Sequence, residues 1–287
     1  MRYALDPAMP VLLRPDGAVQ IGWDPRRAVL VRPPMGLTSG GLAAVLRGLA
    51  APMTFDRVRR LARLHGLDDA DGFSALVSEL VTAGVLRSHG SDGTPGGRAL
   101  SIRVHGDGPL SELLTEGLRC SGARVTRTAH GNGAAARVDL VVLADTLTAD
   151  PRLVRDLQGA GVPHLPALVR DGAGLVGPLV IPGVSSCLNC ADLHRTDRDP
   201  AWPALAAQLR EVVGTADRPT LLATAALTLG QLQQIVAAVR GADHSAAPAP
   251  ATLNATVEID VATHTIRARR WVRHPLCGCW DGAATDG

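Results

Sequence analysis

The chain has 287 residues, a formal net charge of +2, 46% hydrophobic residues and 20% charged ones. That is globular composition, which excludes a disordered or fibrous chain, and so small a net charge gives no bulk drive toward nucleic acid or an anionic membrane. All 29 of the lysine-or-arginine positions are arginine; with no lysine present, no amine of that kind can hold a phosphate or form a Schiff base.

Residues 1–15 show no basic stretch followed by an apolar run, so no signal peptide is read. No uncharged apolar run approaches a membrane span, and a cytoplasmic location is expected. Three short alternating segments at 11–14, 18–23 and 28–32 predict strands. The turn sequences between them, Pro15-Asp16-Gly17 and Asp24-Pro25-Arg26, have hairpin length. Three helical patterns follow. Thr38 or Ser39 caps the first, to about residue 49, and Thr54 caps the second, to about 65. The third, over 73–82, sets Phe73, Leu76, Val77 and Leu80 on one face and stops at Gly84. Val85-Leu86 returns as a short strand, and SHGSDGTPGG at 88–97 has linker composition. The organisation read from this is a winged-helix-like α+β domain over 1–90, a linker over 91–98 and a second domain over 99–287.

From residue 99 the pattern alternates. Strands are expected at 100–104, 123–128, 139–143 and 162–169, with helices at 110–120 and 152–160. The near-continuous apolar run at 139–143 suits a sheet covered on both faces, and the alternation predicts a parallel, doubly wound α/β sheet. Helices at 202–213 and 220–240, a loose Ala/Pro loop at 241–250 and a hairpin over 256–260 and 265–271 complete the chain.

CLNC places Cys187 and Cys190 at the two-residue spacing that lets both thiolates reach one tetrahedral zinc ion. CGC brings Cys277 and Cys279 closer, with Gly278 permitting the turn between them. Following Pro182-Gly183 and His274-Pro275, both pairs are expected in turns. Four thiolates with no water position form a closed, structural metal site. The alternatives are a redox pair, whose CxxC opens a helix after the first strand of its fold, and plain buried cysteines. His274 reads as a surface turn residue and Cys120 as a small core residue.

Gly106 and Gly108 place G-x-G between a strand and a helix, as in nucleotide-binding folds, where glycines let phosphate approach the helix N-terminus. Ser111 stands where the fingerprint has its third glycine. Asp145, at the end of the third strand, stands where an acid serves a metal or phosphate, or acts as a cap. The stretch 124–130 (RVTRTAH) lacks the acid that holds the ribose hydroxyls. A complete ATP–magnesium site is therefore not expected.

GDGPL at 106–110, DLVVLAD at 139–145, GLVGPLVIPGVSSCLNC at 174–190 and the closing HPLCGC together resemble the ThiF/MoeB/HesA family of E1-like proteins. The likeness covers about residues 99–280 and implies a Rossmann-like E1 fold with a two-pair cysteine zinc site. CADLHRTDRDPAWPALAAQL and the N-terminal domain are more similar to one branch, the cyclodehydratase-associated proteins that bind the leader of a ribosomal peptide. That resemblance implies leader capture by strand addition at 28–32, with Phe73, Leu76 and Leu80 lining the groove. It also implies a partner modifying enzyme of the YcaO type, and homodimers with the helix at 220–240 as a candidate interface. Active E1-like enzymes use a lysine at the ATP phosphates; this chain has none. A non-catalytic recognition subunit is therefore the leading expectation, and a carboxylate-adenylating enzyme the alternative. DNA reading is disfavoured because the third helix carries Glu79 and no arginine; Arg57, Arg59, Arg60 and Arg63 on the second read as a solvated face.

Overall fold

The computed structural model describes residues 1–89, 99–119, 123–129, 138–239 and 249–280. The 91–98 linker, Cys120 and most of the 241–250 loop lie outside the described residues. The chain divides into two compact units, Met1–Gly96 and Gly97–Gly287.

In the first unit, β2 (Val11–Leu13), β3 (Val19–Ile21) and β4 (Val29–Val31) form an antiparallel meander. Its register lines up Leu12, Gln20 and Leu30 on one face, while Val19 and Val31 pair on the other and are buried. Among the described residues β4 pairs with β3 alone, leaving its outer edge open, and Leu30 on it is 56% exposed. A second sheet sets β1 (Arg2–Leu5) between β5 (Met53–Thr54) and β6 (Leu86–His89), antiparallel to both. The sequence pattern does not announce β1 or β5, because four and two residues are too few to establish a period.

Three helices complete this unit. Thr38 Oγ1 accepts from the Gly41 amide at 3.0 Å and starts α1 (Ser39–Gly48). Thr54 precedes α2 (Phe55–Leu64) but makes no side-chain capping bond, contrary to expectation. α3 (Ala70–Thr82) begins earlier than its apolar pattern suggests, because Asp69 caps it through the Gly72 amide at 2.8 Å. A further correction concerns the predicted groove. Phe73, Leu76 and Leu80 are only 2%, 9% and 1% exposed, packed in one core with Leu42, Leu46 and Val58. A chain with only two phenylalanines cannot spare such side chains from its core.

The second unit is built on a seven-stranded sheet. β7 (Ser101–His105), β8 (Arg124–Thr128), β9 (Leu140–Ala144) and β10 (His164–Arg170) run parallel in the spatial order β8-β7-β9-β10. The strand order reverses between β7 and β9, which is where doubly wound folds bind ligands, beyond the carboxyl ends of the strands. Beyond β10 the sheet departs from the all-parallel expectation. Asp171 and Gly172 take φ of 53° and 80°, the left-handed pair of a two-residue hairpin turn, so β11 (Ala173–Val176) returns antiparallel. β12 (Ala255–Asp260) and β13 (Thr265–Arg270) extend it in the same sense, with β13 at the edge.

One face of this sheet carries α4 (Pro109–Arg119) and α8 (Arg218–Val239). Leu221, Thr224, Ala225, Thr228 and Leu232 make the buried stripe of α8, and Gly174 on β11 leaves room for Thr224. Among the described residues only α8 is long and apolar enough to cross a membrane; here it packs on α4, β10, β11 and β12. On the opposite face α5 (Pro151–Gly159) covers Val141 and Leu143 of β9 through Leu153 and Leu157. α6 (Leu188–Thr196) and α7 (Trp202–Gln208) follow β11 in the chain. α7 stops short of the expected 213 because the chain turns toward β9, where the Leu147 amide donates to Val212 O at 3.0 Å.

Candidate functional site

Cysteines 187 and 190 open α6 rather than sitting in a turn. Cys187 is the N-cap, its Sγ accepting from the Cys190 amide at 3.4 Å, and both side chains are buried. Cys279 lies in a 3-10 turn, Gly278–Trp280, with Cys277 just before it. The fold brings the two pairs together: Cys187 Sγ lies 3.7 Å from Cys190 Sγ and 3.5 Å from Cys277 Sγ, and Cys190 Sγ lies 3.7 Å from Cys279 Sγ. All four sulfurs fall within 4.8 Å of one another. A tetrahedron with metal–sulfur bonds of about 2.3 Å requires edges of about 3.8 Å, so the cluster fits a zinc ion.

The electrostatics point the same way. Burial pushes the Cys187 thiol far above its ordinary range, and Cys279 up to about 12. Burial opposes ionisation at Cys277 too, but Asn189 Nδ2 donates to its sulfur at 3.2 Å and the Cys279 amide adds a second donor, so that thiol falls to about 7. One ready thiolate among four crowded sulfurs is a poor arrangement by itself, and a divalent cation removes the repulsion and ionises the rest.

A second tie closes the other end of α6. His274, read as a surface turn residue, is only 6% exposed. Its Nδ1 accepts from the Leu276 amide at 3.1 Å, and its Nε2–H donates to Asp197 Oδ2 at 2.9 Å. His194 stacks on it edge-on at 4.7 Å and bonds Val272 O through Nε2 at 3.1 Å. These bonds occupy both ring nitrogens of His274 and make the trio a strut beside the cysteines. No sequence pattern signals it, since the histidines lie eighty positions apart (274 against 194).

Gly106, Gly108 and Asp145 also converge, at the switch point of the sheet. The Asp145 carboxylate itself lies in the glycine turn. Its Oδ1 accepts from the amides of Leu110 and Ser111, at 2.9 and 3.2 Å, at the N-terminus of α4. A Cβ at Gly106 would stand 2.6 Å from Asp145 Oδ2, and one at Gly108 would stand 2.8 Å from Oδ1 and 3.0 Å from Val213 Cγ1. The glycines thus make room for this chain's own carboxylate and for Val213. Asp145 is 1% exposed, holds a left-handed φ of 72°, and receives the Gly214 amide on its carbonyl at 2.9 Å. Its Oδ2 has no hydrogen-bond partner among the described residues.

No protein-family model matches the sequence, and neither does any curated protein. Solved structures do match in fold. A heterocyclase in complex with substrate and cofactor aligns over 97% of this chain and 39% of its own, with a TM-score of 0.67 at 14% identity. The heterocyclase TruD aligns over 97% of this chain and 42% of its own, with a TM-score of 0.65 at 16% identity. E. coli MccB with ATP aligns over 97% of this chain and 99% of its own, with a TM-score of 0.59 at 13% identity. The chain spans about two fifths of the length of the heterocyclases and nearly the whole of MccB. The fold of this chain is the E1-like fold that the sequence resemblance implies.

Proposed function

We propose that this chain is a peptide-recognition protein on an E1-like scaffold, which captures a precursor peptide and presents it to a separate modifying enzyme without adenylating a carboxylate itself. One observation carries the non-adenylating part: the helix N-terminus that holds phosphate in nucleotide-binding folds is filled by Asp145 and covered by Val213. A carboxylate already satisfying those amides repels an incoming phosphate, and the chain has no lysine to offset that charge. The heterocyclases that share this fold carry it within chains more than twice as long. In this reading the open edge of β4 in a winged-helix-like first unit takes the peptide as an added strand. The four cysteines hold one structural zinc ion that fixes α6 against the C-terminal hairpin. Homodimers through the exposed side of α8, where Leu222 is 46% exposed, complete the reading.

Mg·ATP is expected to leave the thermal melting of the protein unchanged. ATP–pyrophosphate exchange stimulated by a peptide would instead establish the adenylating enzyme as the function. Leu30→Asp puts an acid on the outer edge of β4 at a position exposed enough to leave folding intact. It is expected to weaken binding of a precursor peptide encoded beside the chain by about tenfold, ~1.4 kcal/mol. Unchanged affinity by calorimetry would remove β4 from the reading.

A further inference from the structure

The sheet of the second unit is covered unequally. Its parallel half has α4 and α8 on one face and α5 on the other, but among the described residues the antiparallel half has a helix packed directly on one face only, that of α8. The register places Leu168 and Arg170 of β10, Leu175 of β11, Glu258 of β12 and Arg267 and Arg269 of β13 on the opposite face. A cleft of about 970 Å³ lies over this face, walled by α5, α6 and α7, and a smaller hollow continues it across β12 and β13.

Two properties of the cleft define an occupant. Its floor is aliphatic, formed by Pro166, Leu168, Leu175 and Pro178. Its walls and rim carry six arginines, Arg155, Arg170, Arg195, Arg210, Arg267 and Arg269, against two acids. Asp192 is already engaged, its Oδ1 accepting from Arg195 at 2.7 Å and from Trp202 Nε1 at 3.1 Å, and Glu258 stands directly opposite Arg267 across β12 and β13. Arg195 is clamped between the rings of Trp202 and Trp271, at 5.1 and 4.9 Å, and Arg269 lies 4.3 Å over Trp271. The arginine–tryptophan stack is thereby held in place before anything binds.

We infer that this cleft is a docking site for an acidic peptide segment with interspersed aliphatic side chains, separate from peptide capture by the first unit. Aliphatic groups would seat on the Leu168–Leu175 floor and carboxylates on the arginine rim. A second copy of this chain, placed face to face, would set arginines against arginines. A nucleic acid would find no open ring to stack on, because Trp271 is buried and both tryptophans carry guanidinium groups.

The test is fluorescence anisotropy of the full chain with a short fluorescein-labelled peptide alternating Glu and Leu. Binding should weaken steeply with salt and fall at least about tenfold in the double variant Arg210→Glu/Arg267→Glu. Both positions are exposed, and retained metal content would confirm that the variant folds. Leu30→Asp should leave this binding unchanged, which separates failure of the cleft from failure of the β4 reading. The inference is overturned by equal affinity for the matching Lys-Leu peptide, by unchanged affinity in the double variant, or by tighter binding of a single-stranded oligonucleotide. A dimer that the double variant dissociates in sedimentation would overturn it too.

Discussion

Cys187→Ser is expected to abolish metal retention and to lower the melting temperature of the second unit by about 10–20 °C, corresponding to ~5 kcal/mol for a domain of this size. Cys187 is 3% exposed and is the N-cap of α6, and in the proposed reading it is also a metal ligand. Serine can still cap the helix, but it is a poor ligand for zinc and leaves three crowded sulfurs without their counter-ion. Metal analysis should fall from about one zinc per chain to none. A variant that keeps both its melting point and its fold with no metal bound would show that the cluster is merely a buried thiol core.

Asp145→Ala should cost about 2–4 kcal/mol, seen as a lower thermal midpoint of the second unit. The substitution leaves the Leu110 and Ser111 amides without their acceptor at the start of α4, and buried donors left unpaired cost about 1–3 kcal/mol each. It also puts alanine at a φ of 72°, a left-handed conformation that aspartate and asparagine adopt more readily than alanine does. Asn keeps an acceptor in place and tolerates that backbone, so Asp145→Asn should cost only about 1 kcal/mol. Equal stability of the Ala and Asn variants would remove the capping role, and with it the main argument against a phosphate site.

Much of this was legible in the sequence because it rests on local chemistry. The β2–β4 meander follows from alternation and turn residues, and β9 from its unbroken apolar run. The convergence of two cysteine pairs ninety residues apart could be expected only because thiolates at such spacings have few other uses. The remainder depends on tertiary context. That CLNC opens a helix is invisible when its cap is a cysteine rather than Ser, Thr, Asp or Asn. The antiparallel half of the sheet turned on Asp171-Gly172, a hairpin signal easily missed inside a βαβ pattern. Phe73, Leu76 and Leu80 show the reverse error, since an apolar helix face states that it will be buried but not against what. Asp145 had been legible as either a phosphate-side acid or a cap. The bonds from the Leu110 and Ser111 amides, which show it accepting at the start of α4, appear only in the fold.

The four clustered cysteines, the metal ligands of the proposed reading, span a large part of the second unit. Between Cys187 and Cys277, 90 positions apart, lie α6, α7, α8 and the β12–β13 hairpin. An ion that stays on these thiolates when the unit unfolds closes a loop of that length in the denatured chain. By the chain-entropy estimate for cross-links, such closure removes about 4–5 kcal/mol of conformational freedom from the unfolded state. Part of what the clasp contributes would then reside in the chain before it folds, which starts its search with the hairpin already tethered to α6.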